Sequence, residues 1–177
     1  MSACLDVRDA HALGAWLDVG VRRFGPVDLA VSNAAILGTR GPLVGASADE
    51  AGDVIATNVT GALLFARAVL PHLRRPGGVL MNVSSYVGRH ALPEYGAYSV
   101  SKFAVEGLAR LVAAEHGSEG IISVALDPGM IATEMLTAAM RGATPDGARS
   151  PEAAAAALLD LVGGLRATDN GTSVSFS

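Results

Sequence analysis

The sequence predicts an α/β domain built on a mainly parallel sheet, and three observations carry that expectation. Hydrophobic periodicity switches repeatedly between short β-like runs and helical stretches along the chain. The 177 residues are 50% hydrophobic and only 17% charged, a composition that suits one domain over residues 1–177 rather than a disordered segment. The 32 Ala and 21 Gly set against eight aromatic residues require closely spaced elements instead of large aromatic plugs.

The elements follow in order. Ala3 to Val7 reads as a short strand. Leu13, Trp16, Leu17, Val21 and Phe24 then recur at helical spacing until Gly25-Pro26 stops the helix. Asp28 to Ser32 is the next strand, and a Gly-rich loop from Asn33 to Ala46 leads to Ser47-Ala-Asp-Glu50, which has the form of a capping box. A long helix to about Leu73 follows. Gly77-Gly78 introduces Val79 to Val83, an apolar run suited to a strand buried on both faces. Tyr98 to His116 carries Phe103, Leu108, Leu111 and Val112 at helical spacing, and Ile121 to Leu126 is the strand after it. Met130 to Arg149 reads as a partly helical, mobile flap. Ser150-Pro151 starts a helix to about Leu165, because serine caps and proline suits the first turn. Thr172 to Phe176 closes the series as a short strand.

Charge and cysteine content narrow the function classes. A formal net charge of −4, with basic residues scattered, provides no stripe that could track a phosphate backbone, so nucleic acid is not an expected partner. The single Cys4 excludes an internal disulfide and a cysteine metal cluster, fits a reducing cytoplasm, and is expected as a small buried thiol. No metal site is expected. The N-terminus lacks signal-peptide character, and the longest apolar window, Val59 to Leu70, is short and carries Arg67, so no membrane span is expected. Sequons at Asn58, Asn82 and Asn170 are read as chance matches.

Parallel strands joined by right-handed crossovers put every strand C-terminus on one edge, where ligands bind. Asn33-Ala34-Ala35, Ser84-Ser85 and Asp127-Pro128-Gly129 all lie just after strands. Tyr98 and Lys102 are four apart, so a helix places them on one face, where the ammonium would favour phenolate and lower the tyrosine pKa. Such a tyrosine exchanges protons with a substrate hydroxyl, and Ser85, thirteen residues upstream, can hydrogen-bond the same oxygen.

With these residues in place, the chain resembles the classical short-chain dehydrogenase/reductase family. Ser32-Asn-Ala-Ala35 resembles the family's Asn-Asn-Ala-Gly segment, Thr57-Asn-Val-Thr-Gly61 the helix with its catalytic Asn, and Met81-Asn-Val-Ser-Ser85 the strand end with its catalytic Ser. Asn58, Ser85 and Tyr98 are separated by 27 and 13 residues, as in the family. Asp127-Pro-Gly-Met-Ile-Ala-Thr133 matches the segment that contacts the nicotinamide half of the cofactor, and Asp6-Val7 resembles the pair beside the adenine.

The resemblance implies a Rossmann-like, doubly wound parallel sheet and reversible hydride transfer between NAD or NADP and a carbonyl/alcohol pair. Tyr98 would be the general acid/base, Lys102 would lower its pKa and bond the nicotinamide ribose, Ser85 would polarise the substrate oxygen, and Asn58 would hold a relay water. Asn33, Ala34, Ala35, Pro128, Gly129, Ile131 and Thr133 would line the cofactor, with Thr133 on its carboxamide. A homodimer or homotetramer is also implied. Two departures accompany the match: Ala35 stands where the family has Gly, and the family's Thr-Gly-x-x-x-Gly-x-Gly turn, with its first two strand-helix units, is absent, so the chain reads as an N-terminally truncated domain. In the family's sheet order the missing strands would separate Ala3–Val7 from Asp28–Ser32 and leave the latter with a bare edge. A non-catalytic protein that self-associates through the Asn58 and Tyr98 helices is the alternative. A hydrolase built on Ser85 lacks a Gly-x-Ser-x-Gly elbow and a convincing histidine, His90 being near only in sequence.

Overall fold

Short apolar runs in this chain end in polar or glycine-containing loops and are followed by amphipathic stretches, which gives strands that all run the same way. The computed structural model describes residues 1–176. Helix α1 (Ala10–Phe24) begins where the Asp9 carboxylate accepts from the His11 and Ala12 amides, and it ends at Gly25, whose φ of +87° suits glycine. Strand β1 (Leu29–Ser32) leads through the long loop to α2 (Ala48–Ile55), a π turn (Ala56–Thr60) and α3 (Gly61–Val69). Strand β2 (Val79–Val83), α4 (Gly96–His116), β3 (Ile122–Asp127), α5 (Glu134–Ala139), α6 (Pro151–Gly164) and β4 (Ser173–Ser175) complete the order.

The sheet is β1-β2-β3-β4, all parallel, with Ser32 opposite Asn82, Val83 opposite Leu126, and Asp127 opposite Ser175. All four C-terminal ends therefore share one edge. On one face Leu80 packs among Leu17 of α1, Ala62, Ala66 and Val69 of α3, and Val105, Leu108 and Val112 of α4. On the other, Met81, Val124 and Leu126 meet Leu158, Leu161 and Val162 of α6. Each fully buried side chain of this size stabilises the fold by about 1.5–3 kcal/mol.

Several expectations are corrected. Ala3–Val7 forms no strand, because a strand needs a ladder partner and, among the described residues, none pairs with it. Instead Val7 packs on α3 where Gly61 has no side chain; a Cβ there would come within 2.8 Å of Val7 Cγ2. Cys4 lies in this irregular segment and is exposed, not buried. β1 is the sheet's edge, as the bare-edge expectation required. Only half of the capping box forms: Ser47 accepts from the Glu50 amide at 3.4 Å, while the Glu50 carboxylate turns to the Thr39 hydroxyl at 2.6 Å. Ala48–His72 runs as one continuous helical rod, long and apolar enough by length and composition to cross a bilayer, contrary to expectation. Its Ala62, Ala66 and Val69 are instead part of the core. The 130–149 flap contains α5, and its ends are pinned by Ala132 N–H to Arg149 O at 2.8 Å and Arg149 N–H to Met130 O at 2.9 Å. Asn58 and Asn82 are buried and the Asn170 amide oxygen accepts from the Ser123 N–H at 2.7 Å, so all three sequons serve the interior.

Candidate active site

The C-terminal edge of the sheet brings together Ser85 after β2, Asp127-Pro128-Gly129 after β3, and Tyr98 and Lys102 on the first turns of α4. Register dictates this, since β2 pairs with β3 to its own last residue, Val83, opposite Leu126, and the turn Tyr86–Gly88 packs directly on α4. Glycine is needed at that contact: a Cβ on Gly88 would come within 2.7 Å of Ser84 Oγ and 3.0 Å of the Lys102 carbonyl oxygen.

Lys102 is 4% exposed, and its Nζ donates to the Val83 carbonyl at 2.7 Å and lies 5.4 Å from the centre of the Tyr98 ring. Burial lowers its pKa to about 8, since the charged form loses hydration. Tyr98 departs from expectation. Burial pushes its phenol up to about 12, the Ser85 hydroxyl works in the opposite direction, and Tyr95 and Asp127 add to the rise. The ammonium sits over the ring face rather than at the phenol oxygen, so in this state desolvation outweighs it. At neutral pH the phenol therefore keeps its proton.

Asn58 is buried in the π turn, a helical distortion frequent at functional sites. Its side chain bonds across the fold rather than within its own helix. Its Oδ1 accepts from the Ile36 N–H at 2.8 Å, and its Nδ2 donates to Ile36 O at 2.9 Å and Ser101 Oγ at 3.0 Å. Both amide protons are committed, so the side chain clamps the loop after β1 to α4.

The remaining predicted residues divide into two groups. Val7, Asn33 and Ala34 share an open groove of about 240 Å³ with Leu5, Trp16 and Phe65. Asp6, exposed beside it, is held by Arg8 at 2.7 Å, and that hydrogen bond brings its pKa down to about 2. Ala35 needs no glycine, since the only non-glycine residues described at positive φ are Glu94 (72°) and Arg141 (59°). The second group is next to Tyr98's side of the sheet: Pro128 is half-buried, Gly129 adopts φ +67° with its N–H donated to Asp127 Oδ1 at 3.1 Å, and Ile131 bridges to Arg149. Thr133 is exposed and caps α5 by accepting from the Leu136 N–H at 3.2 Å. His90 stacks on Tyr86 at 4.0 Å and bonds its backbone, so it is not a partner of Ser85.

Two ionic clusters were missed in the sequence. Arg89 joins Glu106 at 3.0 Å to Asp127 at 2.9 Å beneath the site. The available signal was Glu106 itself, a carboxylate in the buried stripe Lys102, Val105, Glu106, Ala109 of α4. Arg40 lies 4.3 Å over the Tyr95 ring and, with Arg141, pairs with Glu94 at 3.2 and 2.7 Å, tying three loops together near Tyr98. Spacing alone carries no signal for this one.

The described residues fit a nicotinamide-ribose group, which needs a buried donor such as Lys102 and an exposed backbone turn such as Gly129. Among them no strand-to-helix glycine turn cradles a pyrophosphate.

The sequence profile of the family described as Enoyl-(Acyl carrier protein) reductase matches residues 2–159. The chain is 38% identical over 133 residues to a 2-(R)-hydroxypropyl-CoM dehydrogenase of Xanthobacter autotrophicus, covering 73% of this chain and 53% of that protein. It is 34% identical over 171 residues to an NADPH-dependent pterin aldehyde reductase of Arabidopsis thaliana, covering 96% and 70%. The chain thus spans about half the length of the first of these curated relatives. Among solved structures, levodione reductase superposes with a TM-score of 0.87 at 27% identity, covering 100% of this chain and 75% of that one. Carveol dehydrogenase from Mycobacterium avium in complex with NAD does so with 0.84 at 26% identity, covering 98% and 72%.

Proposed function

Because the chain belongs to the short-chain dehydrogenase/reductase family, we propose that it is an NAD- or NADP-dependent oxidoreductase that interconverts a carbonyl and an alcohol, with Tyr98 as general acid/base. The observation that carries this reading is the convergence of Ser85, Tyr98 and buried Lys102 on the strand-end edge beside Gly129. When bound, the nicotinamide supplies or accepts the hydride. Ser85 donates a hydrogen bond to the substrate oxygen and stabilises the charge that develops there. In reduction Tyr98 passes its phenol proton to that oxygen, and in oxidation it takes the proton back. Lys102 has two ammonium protons beyond the one given to Val83 O, and with these it would hold a ribose hydroxyl and face the phenol. Asn58 keeps the loop after β1 fixed against α4. Asn33, Ala34, Asp6 and Val7 would hold the adenine half, and Pro128, Ile131 and Thr133 the carboxamide end.

The Arg40, Glu94, Arg141 cluster and the flap bound the substrate side, which suits a partly apolar alcohol or ketone. A homodimer or homotetramer is supported by the outward faces of α3 and α4, where Leu63, Val100, Phe103 and Leu111 are 45–58% exposed. That same surface favours the self-association alternative if catalysis is absent. A cytoplasmic location accords with the single cysteine. The test is a fluorescence titration of the folded chain with NADH and NADPH, followed by carbonyl reduction assays on wild type and Tyr98→Phe. Saturable micromolar binding and Tyr98-dependent turnover support the reading; no binding at millimolar cofactor overturns it for this chain and leaves self-association as its role.

A further inference from the structure

Glu106 takes no part in the proton chemistry above, yet it is 1% exposed and accepts from Ser84 Oγ at 2.8 Å, from Arg89 at 3.0 Å and from the Ser173 hydroxyl, with Arg110 at 3.7 Å. Arg89 ends the turn that follows Ser85, and its other terminal nitrogen donates to Asp127 Oδ2 at 2.9 Å. The second oxygen of Asp127 accepts from the Gly129 N–H. One continuous path therefore runs from Ser84, the neighbour of Ser85, through α4 and a single guanidinium to the backbone of Gly129.

Charge balance accounts for the bond of Arg89 to Asp127 but not for its bond to Glu106, which has a second cation in Arg110. Glu106 has Ser84, Ser173 and Arg110 besides it, and Asp127 has the Gly129 amide. What only Arg89 supplies is the link between the two carboxylates, and a planar fork with fixed donors holds two acceptors in a set geometry as an ammonium cannot. We infer that Arg89 is a positioning residue for the reaction proposed above, on which this inference rests: its guanidinium locks the turn carrying Ser85 to the loop carrying Gly129 and so fixes the substrate-polarising hydroxyl against the nicotinamide-facing backbone.

The test compares the wild-type chain with Arg89→Lys, Arg89→Met and the double variant Arg89→Met/Asp127→Asn, reading melting temperature, kcat, carbonyl KM and hydrogen exchange over residues 84–90 and 127–133. Removing Arg89 alone leaves Asp127 short of a partner; the double variant relieves that charge without restoring the link. The double variant is expected to regain the melting temperature lost by Arg89→Met while kcat stays down by about tenfold or more, since small misplacements of reacting groups cost that much. Its KM should move far less, and Arg89→Lys should share the kcat defect. Recovery of kcat together with melting temperature, or full activity in Arg89→Lys, overturns the inference and makes Arg89 a charge neutraliser. If the wild-type chain has no turnover, the functional reading fails on its own. The exchange data still decide the link, because faster exchange in both segments of the folded double variant supports it and unchanged exchange rejects it.

Discussion

Around β2, β3 and α4 the molecule buries charges, whereas along β1 it buries almost none. Lys102 and Glu106 on α4 and Asp127 at the end of β3 are buried, each with hydrogen-bond partners on other elements. At the β1 edge only Ala30 of the strand is buried, Asn33 and Ala34 are exposed, and the Trp16 indole N–H is enclosed without a partner beside an open groove. Buried charges hold their geometry only on a rigid, fully packed scaffold. The comparison teaches that this chain sets the groups proposed for proton transfer against a two-sided sheet, while the groups proposed to meet the adenine half rest on a one-sided edge. Asn82 and Ser123 are the exceptions in the enclosed half, since neither side chain has a protein partner.

The largest break in that contrast should come from Tyr98→Phe, which removes one hydroxyl from the enclosed half. Turnover is expected to fall by about 10²–10⁴-fold, the usual span for loss of a general acid/base, with NADH affinity and melting temperature close to wild type. Steady-state kinetics beside a cofactor titration checks this, and retained turnover would remove Tyr98 from the chemistry.

Lys102→Met tests the cost of enclosure itself. The folded chain holds the ammonium at about 8, against 10.5 when unfolded. Between those values the unfolded chain keeps the proton and the folded chain does not, so stability rises with pH across that window. The full span corresponds to a penalty on the order of 3 kcal/mol below pH 8. Tyr98 acts with the opposite sign: its phenol is held at about 12 when folded against 10.0 when unfolded, so it takes stability away as pH rises through that range. Urea unfolding at pH 7 and pH 10 should therefore show wild type gaining on Lys102→Met as pH rises, with the variant at least as stable at pH 7 though less active. A pH-independent difference between the two would contradict the assignment.

Asn58→Ala should have a smaller effect and act across the boundary between the two regions. It leaves the Ile36 backbone groups without their amide partner, and because Ile36 is itself exposed the loss is that of ordinary hydrogen bonds, about 0.5–1.5 kcal/mol. Denaturant unfolding measures it, and faster hydrogen exchange confined to residues 34–38 locates it in the loop after β1.

The same contrast explains what could be read from the residues beforehand. Strand ends, the parallel edge and the Tyr98, Lys102, Ser85 grouping follow from local periodicity and from the geometry that parallel strands impose, so they were legible. The direction of the Tyr98 shift was not, because spacing places Lys102 on the same helix face without saying whether its ammonium meets the phenol oxygen or the ring. Arg89 and Asp127 are 38 residues apart and their pairing depends on how a turn folds back over α4. The strand expected at Ala3–Val7 has suitable residues and fails for lack of a neighbour, which is a tertiary fact. Glu50 looked bound to its own helix cap, but Thr39 competed successfully for it across the loop.

The smallest expected effect belongs to Trp16→Phe at the open edge. The indole N–H of Trp16 is enclosed with no acceptor, so the tryptophan carries an unsatisfied donor, and phenylalanine keeps most of the ring's packing while deleting that donor. The two contributions oppose one another, and the net change should be within about 1 kcal/mol, neutral or slightly stabilising. Urea unfolding of the variant gives the sign. A loss of several kcal/mol would mean that the indole nitrogen is satisfied in solution by a group occupying the groove. The β1 edge would then be as tightly built as the half that holds Tyr98, and the contrast between the two regions would collapse.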